Sequence, residues 1–292
     1  MANQIVSLSI ETGKPKRLPG TKYNNIAVIV LLLSGAAVTM LPFVIMFMTA
    51  ITKDAYQMSF PVHFIPNPPY WANLIDVWRI IPLGNGFLNS IIVSVTVSVV
   101  GMLTSSMAAF AFAKLDFPGR EKIFMGLLST MMIPYAVLLI PQFIGFSRLH
   151  WVDTLNPIIV PGLFGNIGII FFLRQSFRAI PDELIDAGKI DGASFPRIYG
   201  SIILPLGKPA IAAQMILSFM GCWNDFFGPM IYLNTPERQT VQVLITNFQG
   251  LYNSNWSYVM SVGLQAMLPL IILFIFAQRY IIESLAITGI KG

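Results

Sequence analysis

Six apolar runs set the terms on which this chain can fold. They cover residues 26–51, 87–113, 123–146, 155–173, 209–233 and 258–276. A helix crosses the hydrocarbon core of a bilayer with about 20 residues, so each run is long enough to span. Inside a bilayer every backbone N–H and C=O needs a partner within the protein, and only helices or a closed barrel provide one. Long apolar runs without strict alternation select helices. The expected fold is therefore an all-α integral membrane protein with six transmembrane helices. Composition agrees: 11% of the 292 residues are charged, against about 25% in a typical soluble domain. The first run exceeds the apolar core of about 7–15 residues found in cleaved signal peptides, so it reads as an uncleaved span.

The spans differ in detail. The second holds Ser90, Ser94, Thr96, Ser98 and the cluster Thr104-Ser105-Ser106, small and hydroxyl residues that let membrane helices approach and hydrogen-bond. The third contains Pro134 and Pro141, which predict a bend whose freed carbonyls neighbouring helices must satisfy. The fourth contains Pro157, Pro161, Gly162, Gly165 and Gly168. Between the first two spans, residues 53–85 are rich in proline and aromatics, which suits a loop at the membrane–water boundary. The lone Cys222 lies within an apolar run, where a small packing residue is expected and no disulfide or cysteine metal site can form within the chain. His63 and His150 are isolated and read as loop and interface residues, so no metal site is expected.

Charge fixes an orientation. With a cytoplasmic N-terminus, the outside loops hold only Lys53, Arg79, Arg148 and Arg238 of the 18 Lys and Arg residues. All the others fall inside, which satisfies the positive-inside rule. The net charge of +5 is thus a topology signal and does not indicate nucleic-acid binding. Residues 1–25, 180–209 and 277–292 are then cytoplasmic.

The stretch 180–209 is the longest charged, helix-capable segment. Pro181 suits a helix start, and Asp182 and Glu183 suit its first turn, where negative charge meets the helix dipole. Gly192 suits a helix stop. Ser194 and Pro196 suit a second start, which runs on into the membrane through Ile202-Ile203-Leu204-Pro205. Ala187-Gly188 leaves a face almost without side chains, with Asp182, Glu183, Asp186 and Asp191 around it. A second protein can come close there; a solvated amphipathic helix is the plainer alternative.

These residues carry a resemblance. Asp186-Ala187-Gly188-x-x-Asp191-Gly192-Ala193, followed at the matching spacing by Ile202-x-Leu204-Pro205, resembles the EAA motif of binding-protein-dependent ABC importer permeases. Asp186 stands where the family usually has Glu, and Gly188 where it has a second Ala. The runs Phe112 to Arg120, Asn89-Ser90, Met132-Ile133-Pro134, Trp223-Asn224-Asp225-Phe226 and Gly289 to Gly292 resemble the carbohydrate-uptake branch, in particular MalG-like subunits. The resemblance covers nearly the whole chain past the polar N-terminus. It implies a type I ABC importer permease in the bacterial cytoplasmic (inner) membrane, with residues 26–292 as one transmembrane permease domain. It implies a second homologous permease, two ATPase subunits carrying ATP and Mg, and a periplasmic or lipid-anchored solute-binding protein that delivers a sugar. Asp186, Ala187, Gly188, Asp191, Gly192 and Ala193 would be the coupling contacts to the ATPase, flanked by Glu183 and Arg197. Gly289 and Lys291 belong to a tail that would reach the ATPase interface. Relatives of this type carry malto-oligosaccharides, uronate oligomers such as alginate, or glycerol phosphates.

The residues themselves support the same division of labour. No G-x-x-x-x-G-K-[ST] phosphate loop is present in the sequence, so energy has to come from another chain and the protein is not expected to be an enzyme or to bind a cofactor. Asp225 is the one charge that the run boundaries place inside a span; an intramembrane acid is costly and faces a cavity or a partner. Asn224 and Asp225 are the candidate lining of the sugar pathway, with helix packing as the alternative role. Tyr252, Asn253, Ser254 and Asn255 combine an aromatic face with amides before the sixth span, and the resemblance places that loop against the binding protein; an interfacial aromatic belt is the alternative. A self-contained channel or ion-coupled carrier would call for several intramembrane charges and no docking helix. A membrane enzyme would call for convergent His, Asp or Glu.

Overall fold

The computed structural model describes residues 21–53, 66–249 and 255–289, with side chains described for 26–53, 66–249 and 255–278. Regular structure among them is helical, without a β-strand. The chain forms two units, residues 1–45 and 46–292. The first is described by α1, Thr21–Ala50, whose apolar stretch begins at Ile26 and carries apolar residues on every side, as a lipid-embedded helix requires.

In the second unit the chain continues through α2 (Asn73–Ile80), α3 (Leu83–Lys114), α4 (Arg120–Thr130), α5 (Tyr135–Arg148), α6 (Asn156–Leu163) and α7 (Ile167–Arg178). Then follow α8 (Asp182–Ile190), α9 (Phe195–Ile198), α10 (Leu204–Trp223), α11 (Phe227–Tyr232), α12 (Val241–Ile245) and α13 (Trp256–Gly289). Five helical segments are long and apolar enough to cross a membrane, or six if the bent pair α4–α5 counts as one. The expected six spans are recovered, with three changes of boundary that matter for function.

Helix α3 is the centre. Its buried small residues Ser90, Ser94, Ser98, Gly101, Ser105 and Ala109 recur every three or four positions and so line one face. That face lets α6, α7 and α10 lie close, as small residues do in membranes. A Cβ on Gly101 would sit 2.5 Å from the carbonyl oxygen of Gly162, so α3 and α6 touch backbone to backbone. The same face satisfies the broken span α6–α7. Thr104 Oγ1 donates to the carbonyl of Leu163 at 2.8 Å, and Ser105 Oγ accepts the N–H of Asn166 at 2.9 Å. Gly165 makes the turn at φ +94°, and the Asn166 side-chain oxygen Oδ1 caps α7 by accepting the N–H groups of Gly168 and Ile169.

The third expected span, 123–146, is two helices inclined at 91°. Pro134 begins α5 in extended conformation, whereas Pro141 is accommodated within α5. The fourth runs to Arg178, which brings Arg174 and Arg178 into the end of the helix. The fifth, expected at 209–233, occupies Phe195–Asn224. A single π turn, Tyr199–Ile203, precedes Pro205; its wider spacing takes up the proline ring, which lacks an N–H and crowds the carbonyl four residues back. The helix stops at Trp223, and after residues 224–226 a separate short helix, α11, begins at Phe227 with Pro229 in its first turn, where a proline is tolerated. Asp225 therefore lies just past α10, not within a span, while Lys208 lies inside one. Both placements correct the expectation of a single intramembrane charge at Asp225.

The end of α1 is tied down by polar side chains from elsewhere. Asn73 Nδ2 donates to the carbonyls of Ala50 (2.9 Å) and Thr52 (2.8 Å), and Ser257 and Ser261 hydroxyls donate to the same two oxygens. Gln265 of α13 accepts from Trp78 Nε1 at 2.6 Å and donates to Leu74 O at 3.1 Å, which fastens α2 to α13. One apolar core gathers α3, α4, α7 and α10 around Phe177, Ile185 and Ile198. A second gathers α2, α12 and α13 around Trp223 and Leu244.

The close approaches are testable. Gly207 faces the fully buried Phe177 ring, with only 2.5 Å available to a Cβ. Gly207→Ala and Gly101→Ala are expected to destabilise by about 1–3 kcal/mol through overpacking. Gly126→Ala, at a site with no neighbour within 4 Å, is expected to leave the melting temperature of detergent-purified protein unchanged.

Candidate functional site

Three features stand out, two at one end of α3 and α7 and along α10, the third at the opposite end. The first is the hairpin α8–α9. Gly192 turns it at φ +75°, and the N–H groups of Ala193 and Gly192 return to the carbonyls of Gly188 (2.9 Å) and Lys189 (3.0 Å). Ser194 occupies the cap position of α9, but its hydroxyl makes no capping bond, which corrects that part of the sequence reading. Ile185 and Ile198 are buried at 2% and 0% exposure and hold the hairpin to the core. Gly188 is buried as well: a Cβ there would meet Ile202 at 3.2 Å and Ile198 at 3.4 Å. It thus serves packing of the hairpin on itself, and the bare face expected at Ala187-Gly188 is only half outward. The outward face carries Glu183, Leu184, Asp186, Ala187, Ile190 and Asp191. Gly192 and Arg197 are exposed too, and Ala193 is half-buried. Asp186 pairs with Lys189 at 3.0 Å.

The hairpin is fastened to the helices by charge. Lys114 Nζ, at the end of α3 and almost fully buried, donates to Asp182 Oδ1 at 2.6 Å and to the Ile180 carbonyl at 2.5 Å. The bond from Lys114 holds the Asp182 carboxyl below the usual carboxylate range. Beside it Arg174 donates Nε to the Phe112 carbonyl at 3.1 Å, pairs through Nη2 with Glu121, and lies 3.9 Å over the Phe124 ring. Arg178 and Arg120 reach the same Glu121 at 3.1 and 3.4 Å. Tyr199 in the π turn shares a 2.6 Å hydrogen bond with Ser106 of α3. The sequence presented these groups as loop charges and a core hydroxyl; their pairing spans about 50–90 positions and no local signal marks it.

The second feature is a cavity of about 700 Å³ between α3, α6–α7 and α10. The glycines Gly101, Gly162, Gly165 and Gly221 thin its walls, and Asn166, Gln214, Ser218 and Asp225 are its uncharged and acidic polar groups. Gln214, Ser218, Gly221 and Asp225 follow helical spacing, so one stripe faces inward. Asp225 thus lines the cavity. It also has a structural duty, accepting the Gly228 N–H at 3.3 Å at the start of α11. Asn224 turns away, bonded to the Met220 carbonyl at 3.0 Å and to Gln242 at 3.5 Å. Gln214 and Asn166 were the residues missed; a polar amide inside an apolar run was the available signal.

The third feature is a clamp at the opposite end. Asp153 takes the N–H groups of Asn234 (3.0 Å) and Thr235 (2.9 Å), the Thr235 hydroxyl (2.6 Å) and Arg238 (3.2 Å). The Thr235 hydroxyl, ahead of the backbone donors and Arg238, holds the Asp153 carboxyl below the usual carboxylate range. Asn89 donates to the carbonyls of Glu237 and Gln239, both at 3.0 Å, so residues 233–241 are fixed across the end of α3. Asn255 starts α13, its Oδ1 accepting the Tyr258 N–H at 3.2 Å. Tyr252, Asn253, Ser254 and Lys291 lie outside the described residues, and Gly289 is the last residue of α13.

The ion-pair network gives a sharp test. Glu121→Ala strands the Arg174 guanidinium, whose side chain is 4% exposed, with one carbonyl and a ring face. A loss of stability is expected because the buried guanidinium is left without its partner, moderated because Glu121 itself is half exposed. Arg174→Met leaves Glu121 in water with two other arginines, and is expected to cost less. Paired thermal melts in detergent decide the order.

With this geometry in hand, the comparisons are consistent. Residues 101–286 match the family model for the binding-protein-dependent transport system inner membrane component. An arabinooligosaccharides transport system permease protein of Halalkalibacterium halodurans is 35% identical over 70% of this chain and 74% of its own. An sn-glycerol-3-phosphate transport system permease protein of Pectobacterium atrosepticum is 28% identical over 88% of this chain and 94% of its own. Among solved structures, a bacterial ABC transporter involved in the import of the acidic polysaccharide alginate aligns with a TM-score of 0.76 at 23% identity, covering 91% of this chain and 99% of that one. A bacterial alginate ABC transporter in complex with an alginate pentasaccharide-bound periplasmic protein aligns at 0.58 and 15% identity, over 88% and 96%. The structural likeness carries the fold, a type I ABC importer permease, and the sequence matches carry the family: this chain belongs to the binding-protein-dependent transport system inner membrane components.

Proposed function

We propose that this chain is one of two permease subunits of an ATP-driven importer for a sugar or oligosaccharide. A second, homologous permease and two ATPase subunits complete the membrane complex, and a soluble binding protein delivers the substrate. The observation that carries the reading is the hairpin α8–α9. Its acidic outer face is open, while Lys114, Ile185, Ile198 and Tyr199 bind its inner face to the helices. A part built so can accept force from outside and pass it on as a rigid body. Glu183, Asp186, Ala187, Asp191, Gly192, Ala193 and Arg197 are the proposed ATPase contacts, Gly188 shapes the hairpin behind them, and the tail with Gly289 and Lys291 adds to that interface.

The hairpin and both termini face the cytoplasm in this reading, supported by the distribution of Lys and Arg. ATP and Mg belong to the ATPase subunits, since the sequence offers no phosphate-cradling loop. The substrate class draws on the relatives, whose names specify arabinooligosaccharides and sn-glycerol-3-phosphate. Asp225 faces the pathway and Asn224 supports the turn beside it. Tyr252, Asn253, Ser254 and Asn255 meet the binding protein. Alternating access, with the helices rocking about the pathway, is the proposed cycle.

Asp186→Lys reverses a charge on the outer face without touching the core. The complex is expected to assemble, while sugar uptake by proteoliposomes falls at least about tenfold, the loss of 1.4 kcal/mol of coupling, and ATP hydrolysis no longer responds to the loaded binding protein. Uptake at the normal rate would remove the proposed role of this face.

A further inference from the structure

The cavity between α3, α6–α7 and α10 states a preference about charge. Among the described residues its wall holds one carboxylate, Asp225, and no lysine, arginine or histidine. Lys208, the cation within the α10 span, is on a different side of the helix and does not line it. The remaining polar groups are neutral. The Asn166 side-chain oxygen Oδ1 is used to cap α7, which leaves its NH2 group as a donor. Gln214 has both halves of its amide uncommitted among the described residues, and it sits inside a membrane-spanning helix. Gln214 is half-buried at the cavity wall, so its amide is open to a passing substrate. Asp225 spends Oδ1 on the Gly228 N–H and adds acceptor capacity through its other oxygen. Donors and acceptors are thus mixed along one wall, as the hydroxyls of a sugar require, because each hydroxyl both gives and takes a hydrogen bond. The volume of about 700 Å³ lies in the range of about 300–1,000 Å³ typical of small-ligand sites.

We propose that this cavity is a transit site for neutral sugars, in which Gln214 and Asn166 offer hydrogen bonds to hydroxyls and the Asp225 carboxylate makes it unfavourable to uronates and phosphorylated sugars. An anionic substrate here would meet a fixed carboxylate with no cation on the wall to offset it, and like charges in a partly dehydrated site are strongly disfavoured. A hydroxylated neutral ring loses nothing by the same carboxylate, which accepts from it. The inference rests on the importer reading above. It also separates this chain from its structural neighbour, the importer of an acidic polysaccharide.

The chain supplies its own reporter. Cys222, its single cysteine, lines the same cavity. In the purified complex, labelling of Cys222 by a cationic trimethylammonium thiosulfonate is compared with labelling by the anionic sulfonate analogue, with Cys222→Ser as the background. Normalised to the rates of the same two reagents with a free thiol in solution, the cationic reagent is expected to be favoured roughly a further tenfold, and Asp225→Asn to bring the normalised ratio near one. Arabinooligosaccharide is expected to slow labelling, and alginate oligosaccharide at equal concentration to leave it unchanged. Gln214→Lys, which adds a cation to the wall, is expected to invert the reagent preference and to make alginate oligosaccharide protective. A normalised ratio of one or below, protection by alginate oligosaccharide in the unsubstituted chain, or no labelling at all because a partner fills the space, each overturns the proposal. The reagent ratio does not depend on transport. A complex that takes up no sugar but keeps the ratio would count against the importer reading alone, and one that takes up sugar without the ratio would count against this inference alone.

Discussion

The structure depends on one condition, that a backbone polar group inside a bilayer has to be satisfied by the protein itself. Continuous helices meet it without help. This chain breaks its helices at residues 131–134, 164–166 and 224–226, and at two of those places the compensation is visible. Thr104 and Ser105 receive the broken ends of α6 and α7, and Asp225 receives the start of α11. The serine and glycine face of α3 makes the first of these possible, since only small residues bring a hydroxyl and a neighbouring backbone within hydrogen-bond reach. Because α6–α7 is broken and its walls are thinned by glycine, space is left beside α10. The cavity is therefore a consequence of how the polar groups were satisfied, and it lies where the irregular backbone lies.

The two ends of the molecule are held by different means. At one end a buried lysine, a buried arginine and a shared glutamate fix α3, α4, α7 and α8 to each other. Burying such charges is costly, and a hydrophobic replacement could be as stable; what the charges add is a fixed direction for the hairpin. At the other end Asp153 and Asn89 fix residues 233–241 over α3 through backbone groups. Helix α3 contacts both assemblies, and Tyr199 ties its middle to the π turn that leads into α10. The hairpin is thus joined to the helices that wall the cavity through a short series of hydrogen-bonded contacts.

Much of this was legible in the sequence because apolarity and period are local properties. The spans, the small face of the second span, the turn at Gly192 and the hairpin all follow from residue type and spacing. The fifth span begins before its apolar run, because a π turn absorbs Pro205 and α10 contains Pro209, so helix continues back to Phe195. Pro229, read as part of that span, lies in the first turn of the separate helix α11. Gly188 shows a limit of another kind: a small residue permits close approach from either side, and its own hairpin takes that space. Partners separated by 50 or more positions, such as Glu121 with Arg174 or Asp153 with Thr235, leave no trace in local pattern. Charge alone named them as loop residues.

The central claim is that the outer face of α8 meets an ATPase while its inner face belongs to the permease. Site-specific cross-linking measures this directly. In the Cys222→Ser background, single cysteines at Ala187 and Ile190, both exposed, carry a short cross-linker in the assembled complex, with Gly126 of α4 as the comparison position. The account predicts cross-links from Ala187 and Ile190 to the ATPase subunit and none from Gly126. No cross-link from either hairpin position in any nucleotide state, with the complex intact, would contradict it.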